Sequence, residues 1–335
     1  MGKTDRAFMD CVQSKFSEFA GKIARDERIA VACHNDVDGL AAGSILGRSL
    51  AAAGSLVSVF TTGKAQTPWS PEIIEKLAAV RPAGVIVADF SPRSAQLLPG
   101  IPALIIDHHR PEGLALDTEV ISGYGKDPTP TSGLLAFWAC EALGDTAPLR
   151  WLAALSILGD LAESGEFPEL DEERVIHGQN MLREATSLLN APRRSSSGDA
   201  TPALDLLLKA NSPVEIIQGR FPEVAQLKRA RSEVQSALQR AKMAAPTFSG
   251  GVALVRIDTP CQVHPIIAQI WRTRLKKYIV MCANSGYRPG YVHFSVRSAT
   301  GANLLDFLKE WAPAGADEHY GGGHDQATGG ALRIP

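Results

Sequence analysis

The chain has 335 residues, 45% of them apolar, and a formal net charge of −2, with a pI near 6.5. This length predicts two domains with ample core, and the near-neutral balance argues against a broad basic surface for long duplex DNA while leaving room for a local basic pocket. Cys11, Cys33, Cys140, Cys261 and Cys282 are scattered without a C-x-x-C pair, so neither a zinc site nor a disulfide framework is suggested. With no apolar leader and no run near the roughly 18 residues of a membrane span, the expectation is a cytoplasmic protein without membrane contact.

In chain order, Phe8, Cys11, Val12, Phe16 and Phe19 recur at helical spacing and predict a helix over 5–25. A strand at 28–33 follows, then a small-residue helix over 40–53 stopped by Gly54. Next come a strand at 56–60, a helix over 71–80, and strands at 84–88 and 103–106. Thr131-Ser132 can cap a helix over 134–143, with another over 149–158 and one over 171–190. Pro192 to Asp199 reads as a surface loop, 203–210 as a helix, and 222–243 as a long charged helix bridging two domains. The pattern then restarts with strands at 252–257, 278–283 and 291–296 and helices over 264–275 and 304–311. Strands alternating with helices predict an α/β fold, its N-terminal sheet mostly parallel and flanked by helices. The expected division is 1–190, a helical linker 191–248, and a smaller α/β domain 249–335.

Asp107-His108-His109 directly follows the apolar run Ala103 to Ile106 and carries the most chemical information. Its companions end other apolar runs: His34-Asn35-Asp36-Val37-Asp38-Gly39, Asp89 and Asp160. In a parallel sheet the carboxyl ends of the strands form one rim, where ligands bind. Five Asp and three His there exceed the needs of one ion and suit two divalent cations about 3.5–4 Å apart; carboxylates suit Mg²⁺ and Mn²⁺, and imidazole shifts the preference toward Mn²⁺, Fe²⁺ or Zn²⁺. Taken singly, Asp36 and Asp38 could equally cap the helix that follows them. His177, His264, His293 and His319 lie outside these motifs and read as surface or packing residues.

These four motifs, in this order, resemble the DHH phosphoesterases, a family that includes RecJ-type exonucleases, oligoribonucleases and cyclic-dinucleotide phosphodiesterases. The C-terminal part resembles the DHH-associated domain through Ser295-Val296-Arg297-Ser298 and Gly321-Gly322-Gly323-His324, with Ala327 and Gly329-Gly330 after it. The resemblance implies that His34 and Asp36 hold one ion, that Asp38, His108 and Asp160 hold the other, and that Asp89 bridges them. His34 stands where RecJ-like branches carry Asp. His109 is implied as a phosphate contact or proton donor, and Asp107 as the group that orients a histidine ring. Arg297, Ser298, Gly322, Gly323 and His324 are implied as the substrate clamp.

The implied activity is a Mn²⁺-dependent phosphodiesterase or exonuclease using two metal ions on single-stranded DNA or RNA, short oligonucleotides or small nucleotides, with a homodimer compatible. Alternatives are a phosphatase of 3′-phosphoadenosine 5′-phosphate, a cyclic-dinucleotide phosphodiesterase, and a pyrophosphatase or exopolyphosphatase. A non-catalytic nucleotide-binding protein on the same fold is the reading furthest from these.

Overall fold

The computed structural model describes residues 6–219, 221–316 and 320–334, with the side chains of Gly323 and His324 outside the description, as is the whole of His319. The chain divides into two compact units, Met1–Arg193 with Asp199–Lys228, and Arg194–Gly198 with Arg229–Pro335. No helix among the described residues is long and apolar enough to cross a membrane.

The first unit is built on β1 (Arg28–Cys33), β2 (Leu56–Thr61), β3 (Gly84–Ala88), β4 (Ala103–Asp107) and β5 (Thr118–Ser122). They form one parallel sheet in the order β2-β1-β3-β4-β5. β3 and β4 are buried at every position and β1 at all but its first. Near-continuous apolar runs suit strands covered on both faces. Side-chain alternation divides them: Ile29, Val31, Ile86, Leu104 and Ile106 enter the larger core, and Ala30, Val85, Val87 and Ile105 the smaller.

α1 (Arg6–Gly21), α2 (Val37–Ala52), α4 (Ser132–Cys140) and α5 (Arg150–Gly159) pack into the larger core. α3 (Pro71–Ala79) covers the other face through Ile73 and Leu77. The reading of 171–190 as one helix is corrected. The chain forms α6 (Pro168–His177) and α7 (Gln179–Leu189), separated by Gly178 at φ +80, because a left-handed residue interrupts the hydrogen-bond ladder. The surface loop expected from Pro192 is also corrected. Ala191–Arg194 form a helical turn, α8, whose Ala191 and Pro192 are buried, and Ser195 is buried beyond it. α9 (Thr201–Lys209) and α10 (Pro213–Gln218) complete this unit.

α11 (Pro222–Ala241) contributes Val224 and Leu227 to the first unit's core and Val234, Ala237 and Ala241 to a core of the second. The second unit's strands are β6 (Thr247–Ser249), β7 (Val252–Ile257), β8 (Ile279–Arg288), β9 (Tyr291–Ser298), β10 (Gly322–His324) and β11 (Ala327–Arg333). They form a mixed sheet in the order β10-β11-β9-β8-β7-β6. α12 (His264–Arg274) packs through Ile267 and Ala268 against Val255, Val280 and Cys282. α13 (Leu304–Glu310) packs through Leu304 and Leu308 against Phe294 and Val296, which point to the opposite face.

Candidate functional site

Strand order reverses between β1 and β3, the point at which an open parallel sheet leaves a crevice beyond its carboxyl ends. His34 and Asp36 follow β1, Asp38 lies in the first turn of α2, and Asp89 follows β3. Asp107 ends β4 with His108 and His109 after it, and Asp160 caps α5. All eight sit on one rim of the first unit. Seven of them form three interlocking groups: His34, Asp36 and Asp89; Asp89, His108 and His109; Asp38, His108 and Asp160.

Distances define the groups. His34 Nδ1 lies 3.1 Å from Asp36 Oδ2 and 3.2 Å from Asp89 Oδ2. His108 Nε2 lies 3.1 Å from Asp160 Oδ2, 3.6 Å from Asp89 Oδ1 and 3.7 Å from Asp38 Oδ2. Asp89 thus offers one oxygen to each side. Its backbone adopts φ +68, a left-handed conformation that Asp tolerates better than most residues, while its N–H still donates to Ile106 O at 2.9 Å.

The helix starts shape the rim. Asp36 caps α2 by accepting from Gly39 N at 3.2 Å with Oδ1, while its Oδ2 faces His34. Capping and rim roles therefore coexist in one carboxylate. A Cβ on Gly39 would lie 2.5 Å from His34 Cβ and 2.6 Å from His34 O, so only glycine lets the helix begin this close to His34. Asp38 is wholly buried and accepts from Ser132 N at 2.9 Å, Gly133 N at 2.7 Å and Ser156 Oγ at 2.7 Å. The Thr131 and Ser156 hydroxyls hydrogen-bond to each other, and Ser132 Oγ donates to Asp89 Oδ1 at 3.0 Å. The N-terminus of α4 therefore serves the carboxylates of the rim, with its backbone donors and positive dipole end directed at Asp38.

His109 is locked by Asp107, whose Oδ1 meets the ring Nδ1 at 2.8 Å and whose Oδ2 accepts the His109 backbone N–H at 2.8 Å. The His109 side chain is 40% exposed. Its ring also meets that of His108 edge-on at 4.4 Å, and Phe90 packs edge-on against His34 at 5.0 Å.

Besides Phe90, Ser132, Gly133 and Ser156, two further residues came from outside the sequence motifs. Arg193, at the end of α8, brings a guanidinium nitrogen to 3.6 Å from Asp36 Oδ2, and its Nε is buried without a hydrogen-bond partner. Asn190 Oδ1 accepts the Val37 N–H at 3.2 Å and braces the first motif loop. Nothing in their spacing from the motifs marks them. The adjacent pair Arg193-Arg194 among small residues was the available signal.

Electrostatics show how crowded the rim is. Burial, followed by the Asp89 and Asp160 charges, pushes the Asp38 carboxyl well above its usual range. Burial with Asp89 and Asp36 raises Asp160 to about 7. Burial works to raise Asp36, but His34 and Arg193 outweigh it and hold the group well below the ordinary range. Burial alone would lower both His34 and His109. Asp36 and Asp89 lift His34 to about 10, and the Asp107 hydrogen bond with the Asp89 charge lifts His109 to about 9. For His108 burial prevails and the pKa falls. Its Nε2 is buried without a hydrogen-bond partner, aimed at three carboxylates. A neutral imidazole nitrogen facing crowded carboxylates is the donor set that a divalent cation neutralises, so the residues fit metal.

The residues expected as a clamp belong to the second unit. Arg297 and Ser298 end β9, and Gly322, Gly323 and His324 form β10, antiparallel to β11. Arg297 donates to Val296 O at 2.8 Å and Thr328 O at 3.0 Å. Strand alternation turns Ser298 to the opposite face from Arg297, where its Oγ is buried and accepts from Thr300 N at 3.0 Å. His177 pairs with Glu173 at 3.3 Å, and the rings of His264 and His293 pack beside Tyr287, His264 almost wholly buried.

Neither a family model nor a curated protein matches this sequence. Solved structures do. RecJ from Thermus thermophilus, in complex with Mn²⁺, superposes with a TM-score of 0.72 at 18% identity, covering 97% of this chain and 52% of that one. The chain thus spans about half the length of that protein. The DHH domain of a member of the s1p family of ribosomal proteins gives 0.71 at 16% identity, covering 100% and 89%. Exonuclease RecJ bound to manganese gives 0.65 at 20% identity, covering 96% and 90%. The chain has the two-unit α/β fold of the DHH phosphoesterases.

Proposed function

We propose that the protein is a metal-dependent phosphodiesterase that hydrolyses single-stranded or short oligonucleotides, with Mn²⁺ as the preferred ion. One observation carries this reading: Asp89 divides its two oxygens between a His34–Asp36 group and a group built on His108. A carboxylate shared in this way suits two cations, held by His34, Asp36 and Asp89 on one side and by Asp38, Asp89, His108 and Asp160 on the other. Such ions, when bound, supply Lewis acidity toward a phosphoryl group and an ionised water at neutral pH.

The chain's own side chains do the remaining work. Asp107 fixes the His109 ring through Nδ1, leaving Nε2 to contact a phosphate oxygen or give a proton to the leaving group. Arg193 supplies a fixed cation at the rim with a buried N–H to spare, suited to a non-bridging phosphate oxygen. Arg297, with Gly322, Gly323 and His324, forms the anion-binding part of the second unit. The structurally similar exonuclease RecJ bound to manganese agrees with both the activity and the ion.

The test is incubation of the full chain with Mn²⁺ and 5′- and 3′-labelled DNA and RNA from dinucleotides to about thirty nucleotides. Metal-dependent release of mononucleotides is expected. Failure on every length, with rapid hydrolysis of inorganic polyphosphate, would overturn the nucleotide reading.

A further inference from the structure

Asp160 ends α5, and the residue after it is not explained by the fold. Leu161 adopts φ +58 and ψ 28, the left-handed conformation that closes many helices, at a position where glycine is the ordinary choice. A side chain is penalised there because its Cβ crowds the following carbonyl oxygen. Among the described non-glycine residues at positive φ, Leu161 is the one with a large apolar side chain. Packing does not account for it. Leu161 is 82% exposed, and the apolar contact that accompanies such helix ends is made by its neighbour Ala162, which packs against the larger core.

A loose loop would explain an exposed leucine, but this turn is held. Glu163 Oε1 accepts from Arg174 Nη2 at 2.9 Å, Gln179 Nε2 at 2.9 Å and Arg183 Nη2 at 3.1 Å, which ties the turn to α6 and α7. Phe167, 3% exposed, anchors its far end against Trp138, with ring centroids 6.4 Å apart. Glu166 is left-handed as well, at φ +51. Two unfavourable residues are thus tolerated between Asp160 and Phe167, and strain retained in a held turn marks function.

The function has an obvious neighbour. Leu161 is one residue beyond Asp160, whose Oδ2 lies 3.1 Å from His108 Nε2. Phe90 holds the corresponding place in the other group of rim residues: it follows Asp89, itself left-handed at φ +68, and its half-buried ring packs edge-on against His34. One apolar side chain therefore accompanies each half of a rim built from carboxylates and imidazoles.

We propose that Leu161 is a specificity residue of the rim: its exposed side chain covers the apolar face of the nucleoside attached to the phosphate at the His108–Asp160 group, and so favours a nucleotide phosphodiester over an inorganic phosphate chain. The proposal rests on reading the rim as a phosphodiesterase centre. Carboxylates, imidazoles and the cations they hold act on phosphate oxygens, which nucleotides and inorganic chains share. A fixed apolar surface separates the two, because it gains from covering a sugar or base and is penalised by a second charged phosphate. A leucine held in one geometry by its turn supplies that surface with little backbone entropy left to lose on binding.

The test is calorimetric binding of a thymidine dinucleotide and of inorganic tripolyphosphate to the full chain, with Ca²⁺ in place of Mn²⁺ so that affinity is read without turnover. Leu161→Gly is expected to weaken the dinucleotide about fivefold or more and to leave tripolyphosphate within about twofold. Its Tm should hold or rise by up to about 3 °C, because glycine accepts the left-handed conformation. Leu161→Met, which keeps an apolar side chain of similar volume, should bind the dinucleotide within about twofold of the parent. Bound metal should be equal in all three proteins. An unchanged dinucleotide Kd in Leu161→Gly would overturn the proposal, as would a parent that does not bind the dinucleotide. Equal weakening for both probes, a lowered Tm or a loss of metal would also overturn it, making the leucine a support for Asp160 or for the fold. Dinucleotide turnover with Mn²⁺ is read separately: its absence in the parent removes the phosphodiesterase reading, while the pair of affinities still decides whether Leu161 recognises a nucleoside.

Discussion

The rim of the first unit and the second unit, with 14 Lys and Arg against 7 Asp and Glu, both hold like charges together, and they do so by opposite means. At the rim the charges are buried: Asp38 is fully enclosed, Asp89 nearly so, and both rely on short hydrogen bonds from Ser132, Gly133 and Ser156. In the second unit Lys276 and Lys277 sit on long, solvated side chains. Repulsion scales inversely with the local dielectric, so the rim needs counter-charge from a fixed donor or a cation, whereas the exposed cations are screened by salt. The difference teaches that the first unit's stability should respond to divalent metal and the second unit's to ionic strength. A single net charge for the chain describes neither.

The comparison breaks most visibly at Asp89. Asp89→Ala should lower Mn²⁺-dependent turnover by about a thousandfold or more, near 4 kcal/mol, and reduce bound metal measured by elemental analysis. Full activity in that variant would remove the shared-carboxylate reading. His109→Asn should come next, with kcat about a hundredfold to a thousandfold lower and metal content unchanged. Loss of metal as well would move His109 from proton transfer to ligation.

Packing around the buried carboxylate gives a smaller effect. A Cβ on Gly133 would lie 2.5 Å from Ser156 Cβ, so Gly133→Ala should cost about 1–3 kcal/mol in thermal melts. An unshifted Tm would show that α4 can withdraw from Asp38 without penalty.

The smallest expected effect is a pH trend. Asp160 is raised to about 7 from 3.8, so the native state holds a proton that the unfolded chain releases. The stability from that proton is complete below about pH 4 and is lost as pH rises through 7. Relative to Asp160→Asn, the metal-free parent should therefore lose on the order of a few degrees of Tm across this window, and Mn²⁺ should flatten that difference. Asp36, held low, acts only below this range. A parent Tm that climbed relative to Asp160→Asn from pH 4 to 7 would contradict the crowding, while buried His264, lowered to about 3, acts in the opposite sense in both proteins.

Much of this was legible in the sequence because buried parallel strands write themselves as apolar runs, and each rim residue stands directly beyond such a run or at the end of a buried helix. β5 escaped notice because Thr118–Ser122 is an edge strand, half-exposed and interrupted by Glu119. β10 and β11 did so because Gly322 and Gly329 carry no side-chain pattern to read. Thr131-Ser132 was visible as a helix cap, but its service to Asp38, 94 residues earlier, depends on tertiary packing alone. Arg193 was hidden in the same way. The concentration of cations in one unit was present in the letters, yet it needed the division of the chain to give it meaning.

The bonds to Asp38 also imply an order of events. Its donors lie in α4 and at Ser156, 94 to 118 residues further along the chain, so during synthesis the first motif emerges long before the groups that hold it in place. Until α4 and α5 dock, Asp38 is an unsupported carboxylate beside an incomplete strand edge. High-affinity capture of a cation should thus be a late step, appearing together with closure of the helical layer, and a chain halted before Ser132 would carry three of the motifs without a working receptor for the ion.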